Sequence, residues 1–314
     1  RIVSGRRATR YLEPVHKGSG AMRSRRGSRY LHGQAQVSSL LNPHNRTTPV
    51  SSQKSSETET PILKSRIYGT SGPPLLILHG LFGCGQNWHT QARALRNRFS
   101  VHTLDQRNHG RSFHAREMTY PLMAGDVRRY MDAHKLERAH VLGHSMGGKT
   151  AMALALAHPA RIDHLVIADV APKRSEPRYR EFLDAMRSLD LPSLDRRSEA
   201  DRRLRAAVPD TAIRRFLLKN LVPDENGAFR WRVNLAAIDR AYETIFGAPE
   251  TAGVFPGPAL FLRGARSSFV TADDMPAILD PFPGARLQTI ENAGHWIHTE
   301  QPDAFLDAVR TFLP

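Results

Sequence analysis

Gly143-His144-Ser145-Met146-Gly147 limits what this chain can fold into more than any other stretch. Ahead of it, Ala139-His140-Val141-Leu142 reads as a short buried strand. Behind it, Lys149-Thr150-Ala151-Met152-Ala153-Leu154-Ala155-Leu156-Ala157 is rich in strong helix formers. A serine flanked by glycines at two-residue spacing, on a strand-to-helix turn, has the form of a nucleophile elbow. The turn brings neighbouring elements so close that only glycine fits beside them. The Ser145 hydroxyl then projects above the sheet, with the positive end of the following helix beneath it. The same residues admit a second reading. Gly143, Gly148, Lys149 and Thr150 also fit a phosphate-binding P-loop, in which Lys149 reaches the terminal phosphates and Thr150 holds magnesium. In the elbow, Lys149 is an ordinary residue of the first helical turn. Residues elsewhere discriminate, because a nucleophilic serine needs a general base and oxyanion donors.

Candidates for both are present. Leu75-Leu76-Ile77-Leu78-His79-Gly80-Leu81-Phe82-Gly83 is an apolar strand ending in a His-Gly loop, where a backbone N–H can point at an oxyanion. The donor assigned there is Leu81, with Phe82 the neighbouring alternative, and its partner is the N–H of Met146. Near the C-terminus, Asn292-Ala293-Gly294-His295-Trp296 leaves a strand expected over 286–290 and precedes a helix opened by Gln301-Pro302-Asp303. A histidine on such a loop can serve as general base, and its ordinary pKa lies near neutrality. The chain has 15 histidines, so position decides. His295 comes last in the order serine, acid, histidine, whereas His298 falls nearer the helix and reads as structural. Phe82 and Trp296 flank these two loops and are candidate substrate contacts.

The acid is the open member. After the strand Ala259-Leu260-Phe261-Leu262-Arg263, Ser267 stands where an aspartate would be expected. Asp273 and Asp274 lie further on, at a helix start where acids serve as caps. One strand earlier, Leu165-Val166-Ile167-Ala168-Asp169 ends in an acid at the carboxyl edge, beside the serine strand. Asp169 is favoured on that placement, with the Asp273/Asp274 pair as the alternative.

His79-Gly80-Leu81-Phe82-Gly83, Asp105-x-Arg107-Asn108-His109-Gly110-x-Ser112, Gly143-His144-Ser145-Met146-Gly147-Gly148-Lys149 and Gly294-His295-Trp296 occur in that order. Together they resemble the small α/β-hydrolase esterases of bacteria and their mitochondrial relatives, the group with the Arg-Asn-His-Gly motif. The resemblance covers about residues 61 to 314. It implies an α/β-hydrolase fold in which the acid follows the sixth strand, supporting Asp169 and accounting for Ser267. It also implies cleavage of acyl esters, in some members acyl-CoA thioesters, with no metal or organic cofactor. The departures are a long basic N-terminus and Cys84 beside the oxyanion loop, read as a small packing residue.

Pattern agrees with that fold class. From residue 61 onward β and α signals alternate: an edge strand over 61–68, a strand over 99–104 delivering Asp105, a helix from Tyr120-Pro121 to about His134. Such alternation argues a mostly parallel sheet with helices on both faces. The loop from Asp105 to Ser112 reads as a structural lock of internal hydrogen bonds. Over about 172–255 the rhythm gives way to helices expected at 176–189, 195–208, 211–221 and 234–246, interrupted by a turn at 224–227. An insertion after the sixth strand of such a sheet forms a cap over the active-site edge. Its arginines (Arg202, Arg203, Arg205, Arg214 and Arg215) read as a solvated face, with an anionic leaving group as the alternative ligand.

Of the net charge of +15, +8 falls in residues 1–60, with 11 Lys+Arg against 3 Glu. That leader lacks apolar periodicity and is expected to be a disordered, non-catalytic segment. An Arg-rich, Ser-rich, acid-poor composition also describes a transit peptide, which makes the mitochondrial matrix the alternative to the cytoplasm. Only Tyr11 and Tyr30 stand among its arginines, fewer aromatic residues than nucleic-acid stacking would need. A single cysteine points to a reducing compartment. No apolar run approaches 18 residues, so no stable membrane insertion is expected. No His-Glu-x-x-His or comparable metal-ligand spacing occurs, and the partner expected is a small-molecule acyl ester or thioester.

Overall fold

The computed structural model describes residues 61–249 and 252–314; the basic leader lies outside them. Nine strands are formed there: β1 (Ser65–Tyr68), β2 (Pro74–Leu78), β3 (Ser100–Leu104), β4 (Ala139–His144), β5 (Ile162–Ala168), β6 (Leu221–Pro223), β7 (Phe229–Trp231), β8 (Ala259–Gly264) and β9 (Ala285–Ile290). Seven of them build one sheet in the order β1-β3-β2-β4-β5-β8-β9. Only β1 runs antiparallel within it. The interior strands are short and apolar because both faces are covered. On β2, Leu75 and Ile77 enter one core and Leu76 and Leu78 the other, as a period of two requires.

Helices α1 (His89–Leu95), α2 (Tyr120–Ala133) and α3 (Met146–Ala157) follow β2, β3 and β4 in turn. Between β5 and β8 come α4 (Arg180–Ser188), α5 (Arg197–Leu204), α6 (Thr211–Leu218), α7 (Leu235–Arg240) and α8 (Tyr242–Phe246). The last three helices are α9 (Met275–Leu279), α10 (Ile297–Glu300) and α11 (Pro302–Phe312). Trp88, Phe305 and Val309 fill the core on one side of the sheet, with Leu95 of α1. Val127 and Tyr130 of α2 and Met152 of α3 fill the other.

The helical insertion leaves β5, the fifth described strand of the sheet rather than the sixth, because the described chain supplies a single strand ahead of the His-Gly strand. The helix expected over 234–246 divides into α7 and α8 at Ala241. The turn expected at 224–227 closes the antiparallel hairpin β6–β7. There Asp224 Oδ1 accepts the N–H groups of Asn226 and Ala228 at 2.8 and 2.9 Å, and Gly227 takes φ +83°. Within the described residues no helix is long and apolar enough to cross a membrane.

Candidate active site

β4 ends at His144 and α3 begins at Met146, so Ser145 alone makes the turn, with φ +53° and ψ −119°. A side chain other than glycine could not stand on either flank. A Cβ on Gly143 would lie 2.3 Å from the Gly147 carbonyl oxygen, and one on Gly147 would lie 2.3 Å from that of Leu78. A non-glycine residue at positive φ is strained, and such strain persists where the surrounding structure holds it. Here the Ser145 N–H donates to the Ala168 carbonyl at 3.1 Å and its own carbonyl accepts from Lys149 N–H at 3.0 Å.

The structure brings Ser145, His295 and Asp169 together. Ser145 Oγ lies 3.1 Å from His295 Nε2, and His295 Nδ1 lies 2.8 Å from Asp169 Oδ2. Asp169 follows β5 at φ +54° and its side chain is wholly buried. Its carboxylate accepts three donors: the Gly264 N–H on Oδ1 at 2.9 Å, and the Ser267 hydroxyl and His295 Nδ1–H on Oδ2. Those bonds satisfy a buried charge that would otherwise be costly, and they fix the imidazole tautomer with Nε2 free to accept. Phe269 stacks on the His295 ring, with centroids 3.9 Å apart.

Asp273 and Asp274 make no hydrogen bond to His295 among the described residues. Asp274 caps its own helix, accepting the Thr271 N–H at 2.8 Å, and pairs with Lys173 at 2.5 Å. His298 is buried against Trp88, rings stacked at 4.1 Å, and burial pushes its imidazole down to about 3. Both placements are structural.

The His-Gly loop after β2 is held by a residue that the sequence marks only as part of a general lock. Phe82, at φ +60°, donates its N–H to His109 Nε2 at 3.2 Å, while His109 Nδ1–H donates to the Arg107 carbonyl at 3.0 Å. Burial keeps His109 neutral, with its pKa lowered to about 3, so Nε2 stays an acceptor. The Phe82 amide is therefore committed. The Leu81 and Met146 amides have no acceptor among the described residues, and Met146 is the first residue of α3, whose N–H has no intrahelical partner. A Cβ on Gly80 would lie 3.3 Å from Ser145 Cβ, which measures how tightly this loop presses on the turn.

Within the Asp105–Ser112 loop, Asp105 accepts the Gly85 and Arg111 amides at 2.7 and 2.9 Å, and Arg107 grips Asp126 through two bonds of 2.5 and 2.8 Å. Asn108, at φ +65°, receives the N–H of Asn234 on its carbonyl at 2.9 Å. The loop is thus a brace reaching the oxyanion loop and the helical insertion. Cys84 is buried, and burial pushes its thiol up, as suits a packing residue.

Lys149 corrects the expectation of an ordinary first-turn residue. Its side chain is buried, and Nζ donates to the carbonyls of Phe246 and Gly247 at 3.1 and 2.6 Å and to Ser175 Oγ at 3.3 Å. It fastens the end of α8 to α3. An ammonium already engaged in this way does not reach for phosphates, and with the Ser145 backbone in the elbow conformation the P-loop reading falls. Burial lowers the Lys149 pKa to about 8. Replacing it with methionine strands two carbonyls and is expected to cost about 1–3 kcal/mol of unfolding free energy. The unfolded pKa is about 10.4, so between about pH 8 and 10.4 the unfolded chain binds more protons and the Lys149 contribution to stability rises with pH. Urea titrations at about pH 7.5 and 9.5 should show that increment in the parent chain and not in Lys149→Met; equal pH dependence in both would refute it.

The cap arginines are largely paired. Arg202 and Arg203 share Glu199, and Arg205 and Arg214 share Asp201. That leaves them committed within the insertion and argues against their holding an anionic ligand.

A narrow cleft opens over Ser145 and His295, and both Phe82 and Trp296 line it. Tyr179 and Phe182 from one end of the insertion and Ile213, Phe216 and Leu217 from α6 make its wall apolar. A second, smaller recess, with Met146, Val170, Ile245, Phe246 and Phe269, meets the cleft at Ser145 and Leu81.

A sequence profile described as alpha/beta hydrolase fold matches residues 73–302. The chain is 42% identical over 250 residues to the sn-1-specific diacylglycerol lipase ABHD11 of Xenopus laevis, covering 77% of this chain and 80% of that one. It is 37% identical over 241 residues to the esterase YbfF of Escherichia coli, covering 76% and 92%. Among solved structures it is similar to a marine microorganism esterase, with a TM-score of 0.79 and 39% identity over 81% of this chain and all of that one. With the sheet order, the strained serine turn and the helical insertion, these likenesses show that the chain belongs to the alpha/beta hydrolase fold family, as an enzyme akin to its esterases and lipases.

Proposed function

We propose that the chain is a serine carboxylesterase acting on acyl esters or thioesters, with Ser145, His295 and Asp169 as its triad. The observation that carries this reading is the unbroken relay from Ser145 Oγ through His295 to Asp169 at the floor of an apolar cleft. His295 Nε2 takes the Ser145 proton as Oγ attacks the carbonyl carbon, and the oxyanion accepts the N–H groups of Leu81 and Met146. His295 then protonates the departing alcohol or thiol, giving an acyl-enzyme. Water, losing its proton to His295, attacks the acyl carbon and releases the acid and Ser145. Asp169 holds the tautomer and stabilises the imidazolium. Two recesses meeting at Ser145 suit the two sides of an ester. Residues 61–314 are read as the hydrolase domain, with 172–255 its cap. The relatives' names, a diacylglycerol lipase and an esterase, support carboxylic esters as the substrate class. The single cysteine supports a reducing compartment, cytoplasm or mitochondrial matrix.

A fluorophosphonate probe should label the chain at Ser145, and aryl esters of graded acyl length should be turned over with a preference set by the cleft. Ester binding without labelling or turnover would sink the enzymatic reading and favour a ligand sensor.

A further inference from the structure

One groove gathers four cations that form no ion pair among the described residues. Arg66 of β1, Arg197 of α5, Lys219 just after α6 and Arg232 just after β7 line about 600 Å³ of space with Cys84, Gln86, Asn87 and His89, and no carboxylate lines it. Among the described residues none of these four cations forms a salt bridge, whereas Arg202, Arg203, Arg205 and Arg214 each pair with Glu199 or Asp201. The half-buried Arg232 keeps its Nε out of solvent without an acceptor. Arg197 and Arg232 are aimed by single backbone bonds, to the Leu221 carbonyl at 2.6 Å and the Lys219 carbonyl at 3.0 Å. Asp105 lines an adjoining recess together with Arg66 and Arg232, and its carboxylate accepts the amides of Gly85 and Arg111.

Four like charges in one concavity repel, and the walls focus their field on whatever enters. An anion there relieves the repulsion and supplies the acceptor that Arg232 Nε lacks. Arginine forks match phosphate oxygens in geometry as well as charge. The space exceeds what one inorganic anion fills, so more than one anionic group fits. Asn87 lines both this groove and the cleft over Ser145, so a molecule held here ends beside the oxyanion loop.

We infer that this groove binds a small molecule carrying two or more phosphate groups, held by Arg66, Arg197, Lys219 and Arg232. The phosphates belong either to the leaving portion of a substrate reaching across Asn87 or to a separate ligand. The binding site itself does not depend on the esterase reading; only the substrate-tail source does. Inorganic pyrophosphate is the probe, titrated calorimetrically into the whole chain at low and at physiological salt. Arg66→Glu combined with Lys219→Glu changes two exposed side chains and should weaken binding about tenfold or more, with neutral aryl-ester turnover kept within about twofold. Arg232→Gln should weaken binding too. No pyrophosphate binding to the parent chain, or equal binding to the double variant, overturns the inference. The source is read from two esters, one neutral and one whose alcohol carries a diphosphate. If the phosphates are a substrate tail, the double variant raises KM for the diphosphate ester alone and pyrophosphate competes with it. If they are a separate ligand, pyrophosphate alters both esters alike. A parent chain that binds pyrophosphate but turns over neither ester would sink the esterase reading and leave the groove intact.

Discussion

Ser145→Ala is expected to lose about three or more decades of ester turnover while the chain still folds. The alanine keeps the backbone of the turn and removes only Oγ, the atom 3.1 Å from His295 Nε2. Among the described residues no other hydroxyl hydrogen-bonds His295 Nε2. The Ser267 hydroxyl, which also touches the relay, is spent on Asp169. What remains is catalysis by the oxyanion donors and binding alone, which in serine hydrolases is about a thousandfold or more above water. The melting temperature should move little, since the strain at φ +53° is a backbone property that alanine shares. The check is steady-state turnover of an aryl ester alongside fluorophosphonate labelling. A variant that keeps a tenth or so of the parent's activity would show that another nucleophile carries the reaction.

How much of this was legible without coordinates follows from the range of each interaction. The elbow could be read because its requirement is local: Gly143 and Gly147 admit no Cβ within four residues of each other. The alternation of short apolar strands with helices likewise gave the parallel sheet, since period and length are local signals. The α7–α8 break at Ala241 and the hairpin β6–β7 were blurred because helix ends and three-residue strands fall below what periodicity resolves. The roles of His109, Lys149 and Ser267 were not legible for a different reason. His109 reaches back 27 positions to Phe82, Lys149 forward 97 to Phe246, and Ser267 back 98 to Asp169. No spacing rule connects residues that far apart, and the Arg-Asn-His-Gly stretch marks His109 without saying what it holds. The unpaired groove is further still from the sequence. Its four cations stand on β1 and three separate parts of the insertion, and that none of them forms a salt bridge among the described residues appears only once the contacts of each are known.

Asp169→Asn is the second large effect, and it tests the least local assignment of the site. Asparagine fits the same volume, and its carbonyl oxygen can still accept the Gly264 N–H that Asp169 Oδ1 accepts at 2.9 Å. Its amide nitrogen then occupies the place of Oδ2, facing His295 Nδ1 and the Ser267 hydroxyl, both of which donate to the carboxylate in the parent chain. A donor meeting Nδ1 forces the imidazole into the tautomer with its proton on Nε2, where it cannot accept from Ser145. The loss expected is about ten-thousandfold in turnover, the scale seen for the same exchange in a serine protease. The fold should survive, because the carboxamide is neutral and replaces a buried charge rather than stranding one. Asp273→Asn and Asp274→Asn should leave turnover nearly intact. For Asp274 the loss is a weakened cap and the ion pair to Lys173, about 1 kcal/mol of stability in all. Comparing kcat/KM and urea midpoints for the three variants separates the alternatives. Activity retained in Asp169→Asn and lost in Asp274→Asn would move the acid to the later loop, against the buried 2.8 Å contact on which the proposed triad rests.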